Sequence, residues 1–281
     1  MYHSKLTLVA SFVALGLVSN SQAQAASSSY VDKITECLSE ELKTTDYFKI
    51  KSPIQRIETK QKSQIRVVIQ QKKGDAEFNL AIHVFDSRLA ATAVLNRGLR
   101  SASLKPQAFV PSKWPLGEQV RSLGPDVLLT FLAQNNNLVF ECRSAYSGYF
   151  HEGKVKFRNE TLAADYRQME DLTRRILGRM AAIDSISIAP MMINNKSVLA
   201  RKSLSGEVLL SMGQWAAARG FDLQQQKWNQ LYYFKLGNKE VIIPMAANKI
   251  RVEGKWLEGK EISALYRGCW YVPKSLVDKL K

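Results

Sequence analysis

The stretch Gln64-Ile65-Arg66-Val67-Val68-Ile69-Gln70-Gln71, then Lys72-Lys73-Gly74-Asp75, then Phe78, Leu80, Ile82 and Val84, reads as a β-hairpin. Ile65, Val67 and Ile69 recur at every second position, which puts them on one face of a strand. Phe78 to Val84 repeats the pattern after a turn that Gly74 and Asp75 suit. Two alternating runs joined by a tight turn pair antiparallel and bury one face. Working outward, Val31, Ile34, Leu38 and Leu42 recur at helical spacing, which predicts a helix over 30–43. Ser87 reads as the N-cap of a helix to about Ser101, with Leu89, Leu95 and Leu99 inward. Two more strands, Val127 to Ala133 and Leu138 to Arg143, join around Asn135-Asn136-Asn137, where Asn tolerates left-handed angles. A helix is predicted from Leu162 to Ala182, with Tyr166, Met169, Leu172, Ile176 and Met180 as its apolar stripe.

Helices and hairpins in this order give an α+β fold in two domains, each an antiparallel β-sheet with packed helices. The predicted division is 1–25 signal peptide, 26–184 α+β domain of no recognised family, and 185–281 second domain. The second domain is strand-rich, with one helix at about Leu209 to Arg219 that ends at Gly220.

The chain start carries one firm positive charge, Lys5. The run Leu6 to Val18 follows without charge, and the segment closes on Ala23-Gln24-Ala25. A basic start, a short apolar run and an A-x-A end are the parts of a secretory signal peptide. The run is too short to remain as a membrane anchor. The expectation is therefore a secreted or periplasmic protein with no transmembrane segment in the mature chain.

The chain has 281 residues and a formal charge of +15 from 40 basic and 25 acidic side chains. An exported protein of this charge is drawn to anionic surfaces. Basic residues are scattered, so a solvated surface kept soluble by its charge explains them equally well.

Export permits a disulfide. Cys37 beside Ile34 and Leu38, and Cys142 on a strand face with Leu138 and Phe140, are both expected to point inward, and their pairing is the preferred bridge. The alternative is two buried free thiols. Cys269 is left over as a core thiol.

From about Ile186 onward four pieces follow one another: the turn Ile193-Asn194-Asn195-Lys196, the helix end Ala218-Arg219-Gly220-Phe221 before Trp228, the turn Val252-Glu253-Gly254-Lys255, and the closing Gly268-Cys269-Trp270-Tyr271-Val272-Pro273. In this order they resemble the copper amine oxidase N-terminal-like domain, the stalk domain of bacterial exported proteins. The segment Val208-Leu209-Leu210-Ser211-Met212 departs from that pattern in lacking a proline. The resemblance implies a small antiparallel sheet with a packed helix, an appendage and not a catalytic unit. It implies no oxidase chemistry here. That chemistry takes three His ligands and an Asn-Tyr pair, and past residue 25 only His83 and His151 remain.

No other catalytic signature is present. H-E-x-x-H, C-x-x-C, G-x-S-x-G and the full phosphate-loop motif G-x-x-x-x-G-K-[ST] are all missing (Gly254, Gly259 and Lys260 have its spacing, but Glu261 stands where the Ser or Thr is needed), so no catalytic, cofactor or metal residue is assigned. His83 and His151 read as ordinary surface residues. Glu40-Glu41 and Glu170-Asp171 read as solvated helical carboxylates, since adjacent helical residues point apart. Near the C-terminus aromatics mix with cations. Most of these rings, Tyr271 and Trp228 included, are expected in the core, with Trp256 the exposed one. Trp256, Lys255, Lys260 and Arg251 are therefore the candidate ligand-facing residues.

The first expectation for function is a non-catalytic binding or structural protein of the bacterial cell envelope. Its partner would be an anionic envelope polymer or another envelope protein; nucleic acid is not expected. The alternatives are an envelope hydrolase using loop carboxylates such as Asp86, Glu118, Asp126 or Glu152, and a periplasmic partner-binding or inhibitor protein.

Overall fold

The computed structural model describes residues 29–59, 62–74, 77–101, 115–123, 130–144, 149–151, 154–156, 159–183, 185–226 and 230–280; backbone alone is described for 96–101, 119–123, 130, 131, 143, 144, 149–151, 154–156 and 159–166. The expected signal peptide, the loop prolines Pro106 and Pro111, and Trp228 lie outside these residues.

The fold is α+β, with antiparallel sheets and packed helices. The first sheet has seven strands. Along it run β1 (Phe48–Ile50), β3 (Lys62–Gln71), β4 (Glu77–Phe85), β7 (Leu138–Ser144), β6 (Thr130–Asn135) and β5 (Gln119–Leu123), and β2 (Gln55–Glu58) also pairs with β3. The expected hairpin is β3–β4, and its register sets Ile65 opposite Ile82 and Val67 opposite Leu80. The β6–β7 turn carries Asn136 at φ 51°, the left-handed angle anticipated there. A small ribbon, β8 (Tyr149–His151) with β9 (Lys154–Lys156), follows.

Both faces of the first sheet are used, unequally. Ile65, Val67, Ile69, Phe78, Leu80, Ile82 and Phe140 face the main core. Against them pack α1 (residues 29–44), through Val31, Ile34, Leu38 and Leu42, and α3 (Asn159–Ala182). The opposite face is covered near one end by α2 (Arg88–Ser101), where Ala91 and Leu95 meet Phe85, Leu132 and Val139.

The C-terminal part holds two five-stranded sheets. One is ordered β10 (Ile186–Ile193), β11 (Lys196–Lys202), β12 (Val208–Ser211), β19 (Cys269–Pro273), β18 (Ala264–Tyr266). The other is ordered β13 (Gln224–Gln226), β14 (Leu231–Leu236), β15 (Lys239–Pro244), β16 (Lys249–Val252), β17 (Lys255–Glu258). The helix expected from Leu209 starts later, as α4 (Met212–Arg219), because Val208–Ser211 pairs with β11 and β19 instead. Gly220 ends it at φ 75°. Trp215 of α4, Phe221 and Phe234 form an aromatic cluster, with Phe221 stacked on Phe234 at 4.6 Å.

The two parts share one continuous apolar cluster. The helix α3 runs through it and, from Gln168 to its end, is buried nearly all round, not along a single stripe. Glu170 and Asp171, expected in solvent, are 2% and 5% exposed. Arg174 is fully buried and ties the two parts together. Its Nε and Nη2 donate to Glu170 Oε1 at 2.9 and 2.6 Å, and its Nη1 donates to the carbonyls of Pro115 and Met245, both at 2.8 Å. Burying a guanidinium is tolerable only when it is paired and hydrogen-bonded in this way. Asp171 Oδ1 accepts from Gln230 Nε2 at 2.8 Å, and Gln230 Oε1 accepts from Trp270 Nε1 at 3.2 Å. Glu41, also expected in solvent, is fully buried and ion-paired with Arg175 and Arg179 of α3, while Glu40 stays exposed. Gly117 adds a stitch by donating its N–H to Ala246 O at 2.7 Å. It holds φ 64°, and a Cβ there would strike the Gln134 carbonyl.

Cys37 and Cys142 are free thiols, which corrects the expected bridge. The apolar stripe of α1 that meets the sheet is Ile34, Leu38 and Leu42. Cys37 lies on the neighbouring side with Glu41, turned toward Arg179 of α3. Cys142 is buried in the sheet between Leu80 of β4 and Phe131 of β6. Burial pushes the Cys37 thiol up to about 11. Cys269, expected in the core, is exposed.

Candidate functional site

The β14–β17 sheet buries Phe234, Val241, Ile243 and Ile250 on its inner face. Side chains alternate along each strand, so the residues between these face outward. The register places them in line: Gln224 opposite Tyr233, Tyr233 opposite Ile242, Ile242 opposite Arg251, Arg251 opposite Trp256. One row thus crosses five strands. At a strand spacing of about 4.8 Å, Tyr233 and Trp256 stand roughly 14 Å apart. Both rings are 37% exposed, while Arg251 and Ile242 between them are half-buried. Lys235 shares this face and Lys255 stands at the β16–β17 turn; both are exposed. Lys249 on the same face is ion-paired with Glu258.

Of the four residues singled out from sequence, Trp256, Arg251 and Lys255 therefore cluster on one hairpin, and Tyr233 completes their row. Lys260 does not join them. It lines a cleft of about 480 Å³ where the two parts of the chain meet. That cleft is also lined by Arg88, Glu118, Glu207 and Glu261. Glu118 has a side chain only 7% exposed, with Arg88 Nε 3.1 Å from its Oε2. Burial raises its carboxyl above the usual range, opposed by Arg88 and a backbone N–H from Asn136 and reinforced by Glu261. Glu261 itself accepts hydrogen bonds from Ser203 and Ser205. Of the other loop carboxylates, Asp86 is exposed, and Asp126 and Glu152 lie outside the described residues.

His83 is not a surface residue. It is 7% exposed, and its Nε2 lies 2.7 Å from Glu141 Oε2. The Lys62 ammonium, a donor only, sits 3.0 Å from Nδ1. Nδ1 therefore accepts, and Nε2 carries the proton donated to Glu141. Sequence reasoning missed this pair because Glu141 lies far along the chain and becomes its neighbour only through β4–β7 pairing. His151 lies in β8.

Among the described residues no group of three or more His, Cys, Asp or Glu could hold a metal ion, and no helix is long and apolar enough to cross a membrane. Compared with known proteins, the chain matches no family model, no curated sequence and no solved structure.

Proposed function

We propose that this is an exported, non-catalytic binding protein of the bacterial cell envelope, and that it engages an anionic envelope polymer through the outer face of the β14–β17 sheet. The observation that carries this reading is the straight row Tyr233, Ile242, Arg251 and Trp256, with Lys235 on the same face and Lys255 at the adjoining turn. Flat rings at intervals along a strip offer faces for successive units of a chain, and the cations attract negative charge. The C-terminal part then acts as a stalk-like module of the copper amine oxidase N-terminal-like kind, on the order of its turn and closing motifs. Export rests on the basic, apolar and A-x-A pattern of residues 1–25.

The test is retention of purified protein on isolated envelope fractions at low and high salt. Retention falls as salt rises, because exposed charge contacts are screened. Trp256→Ala and Arg251→Ala each weaken it while leaving the fold intact. Retention indifferent to salt and to both substitutions rejects the reading. The N-terminus of the exported protein should begin after Ala25; an uncut N-terminus on cytosolic protein rejects export.

A second reading, an envelope hydrolase, is favoured by one observation: Glu118 and Glu261 line the same cleft, in different surroundings. A carboxyl raised by burial beside a hydrogen-bonded carboxylate in other surroundings suits acid–base work. Hydrolysis of envelope glycans lost in Glu118→Gln would replace the first reading with this one.

A further inference from the structure

The outer face of the seven-stranded sheet is covered by α2 only near Phe85, Leu132 and Val139. Beyond that cover it is concave and polar. A cavity of about 460 Å³ is lined by Ser52, Gln55, Gln64, Arg66, Asn79 and Glu141. Its floor is Ala81, which the register sets between Arg66 of β3 and Glu141 of β7. A methyl group there leaves room that a larger side chain would fill.

The charges in and around this cavity do not cancel. Lys62, His83 and Glu141 form a hydrogen-bonded relay in which one cation and one carboxylate balance across a neutral imidazole. Arg66 is exposed, lines the cavity, and makes no ion pair or hydrogen bond among the described residues. Ser52 Oγ accepts the Val68 N–H at 2.9 Å, which leaves its own proton to donate. Gln55, Gln64 and Asn79 each bring both a donor and an acceptor.

We infer that this cavity is a binding site for a small hydroxylated carboxylate, of the sugar-acid type. Arg66 takes the carboxylate, because the planar guanidinium fork matches it with two parallel hydrogen bonds. The carboxamides and Ser52 take hydroxyls, which need donors and acceptors in alternation. The volume is within the range of small-molecule sites, roughly 300–1,000 Å³. The site is separate from the Tyr233–Trp256 row and does not depend on it.

The test uses glucuronate as probe on the intact protein, with acetate and glucose as controls, read by calorimetry and by thermal shift. Glucuronate binds and raises the melting temperature, while acetate and glucose bind more weakly. Arg66→Ala, at an exposed position, weakens glucuronate roughly tenfold or more. Ala81→Leu fills the floor and abolishes binding, with circular dichroism showing the fold retained. Trp256→Ala leaves binding unchanged, which separates this site from the polymer-binding face. No binding of glucuronate, binding equal in Arg66→Ala, or binding of glucose as strong as that of glucuronate overturns the inference.

Discussion

Replacing Gly178 with alanine isolates the contact between α3 and the C-terminal sheet. In an open helix this change stabilises by roughly 0.5–1 kcal/mol, since glycine is the poorer helix former. Here the added Cβ would lie closer than 3.0 Å to Cη2 and Cζ3 of Trp270, and 3.1 Å from Leu265 Cβ. Trp270 is 6% exposed and tethered through Nε1 to Gln230, so its ring has little room to retreat. Overpacking of this kind costs about 1–3 kcal/mol, which exceeds the helix gain. The expected net loss is about 1–2 kcal/mol, or a melting temperature lower by roughly 2–8 °C at 2–4 °C per kcal/mol. Gly213 in α4 is the control: a Cβ there meets nothing within 4 Å. Gly213→Ala should therefore raise stability by about 0.5 kcal/mol. The assay is chemical denaturation of both variants, and of Gly178→Ala in a Trp270→Phe background. The smaller ring relieves the clash, giving a coupling of about 1–2 kcal/mol between the two sites. A stabilised Gly178→Ala, or an equal cost in both backgrounds, would refute the packing argument.

Arg174→Met leaves the buried Glu170 carboxylate unpaired and removes the bonds to Pro115 and Met245. It should cost about 3–5 kcal/mol in denaturant titrations, with part recovered when Glu170→Gln is added. Burial raises the Asp171 carboxyl despite the Gln230 hydrogen bond and the nearby Arg175 and Arg174. The folded chain thus holds that proton at higher pH than the unfolded chain. The stability so gained is complete below the ordinary carboxylate range near pH 4, and is lost as pH rises through the folded value. Asp171→Asn should flatten this slope and be no less stable than the parent at pH 7; a steeper loss of stability toward neutral pH refutes the assignment. With three free thiols, one exposed, a thiol reagent should modify Cys269 first in the native protein and reach Cys37 and Cys142 after unfolding. Fewer than three thiols in unreduced, denatured protein would restore the disulfide.

The hairpin at Gln64–Val84 and the long helix ending at Ala182 are legible because their periodicities are local. Burial of α3 on its remaining sides is not. Glu170, Asp171 and Arg174 carry the composition of a wet surface, and only the spacing of Glu170 and Arg174, four apart, hints at a pair. The row from Tyr233 to Trp256 escapes for another reason. Its members are unevenly spaced along the chain, and strand register alone aligns them. Trp256, Arg251 and Lys255 are legible from the mix of aromatic and basic residues near a Gly-Lys turn. Tyr233 is one of many aromatics in the C-terminal part, and nothing in sequence marks it as their neighbour. The polar cavity over Ala81 has the same origin, since an alanine announces nothing until its flanking strands are known.

The guanidinium of Arg174 reaches a carbonyl at residue 115 and another at residue 245. Its second acceptor is therefore synthesised some seventy residues after it. Until then the nascent helix carries a charge with nowhere dry to go and a bare glycine groove awaiting its indole. Maturation is thus tied to completion of the polypeptide: a stalled or clipped product missing its last strands keeps that seam open, a ready target for chaperones and proteases.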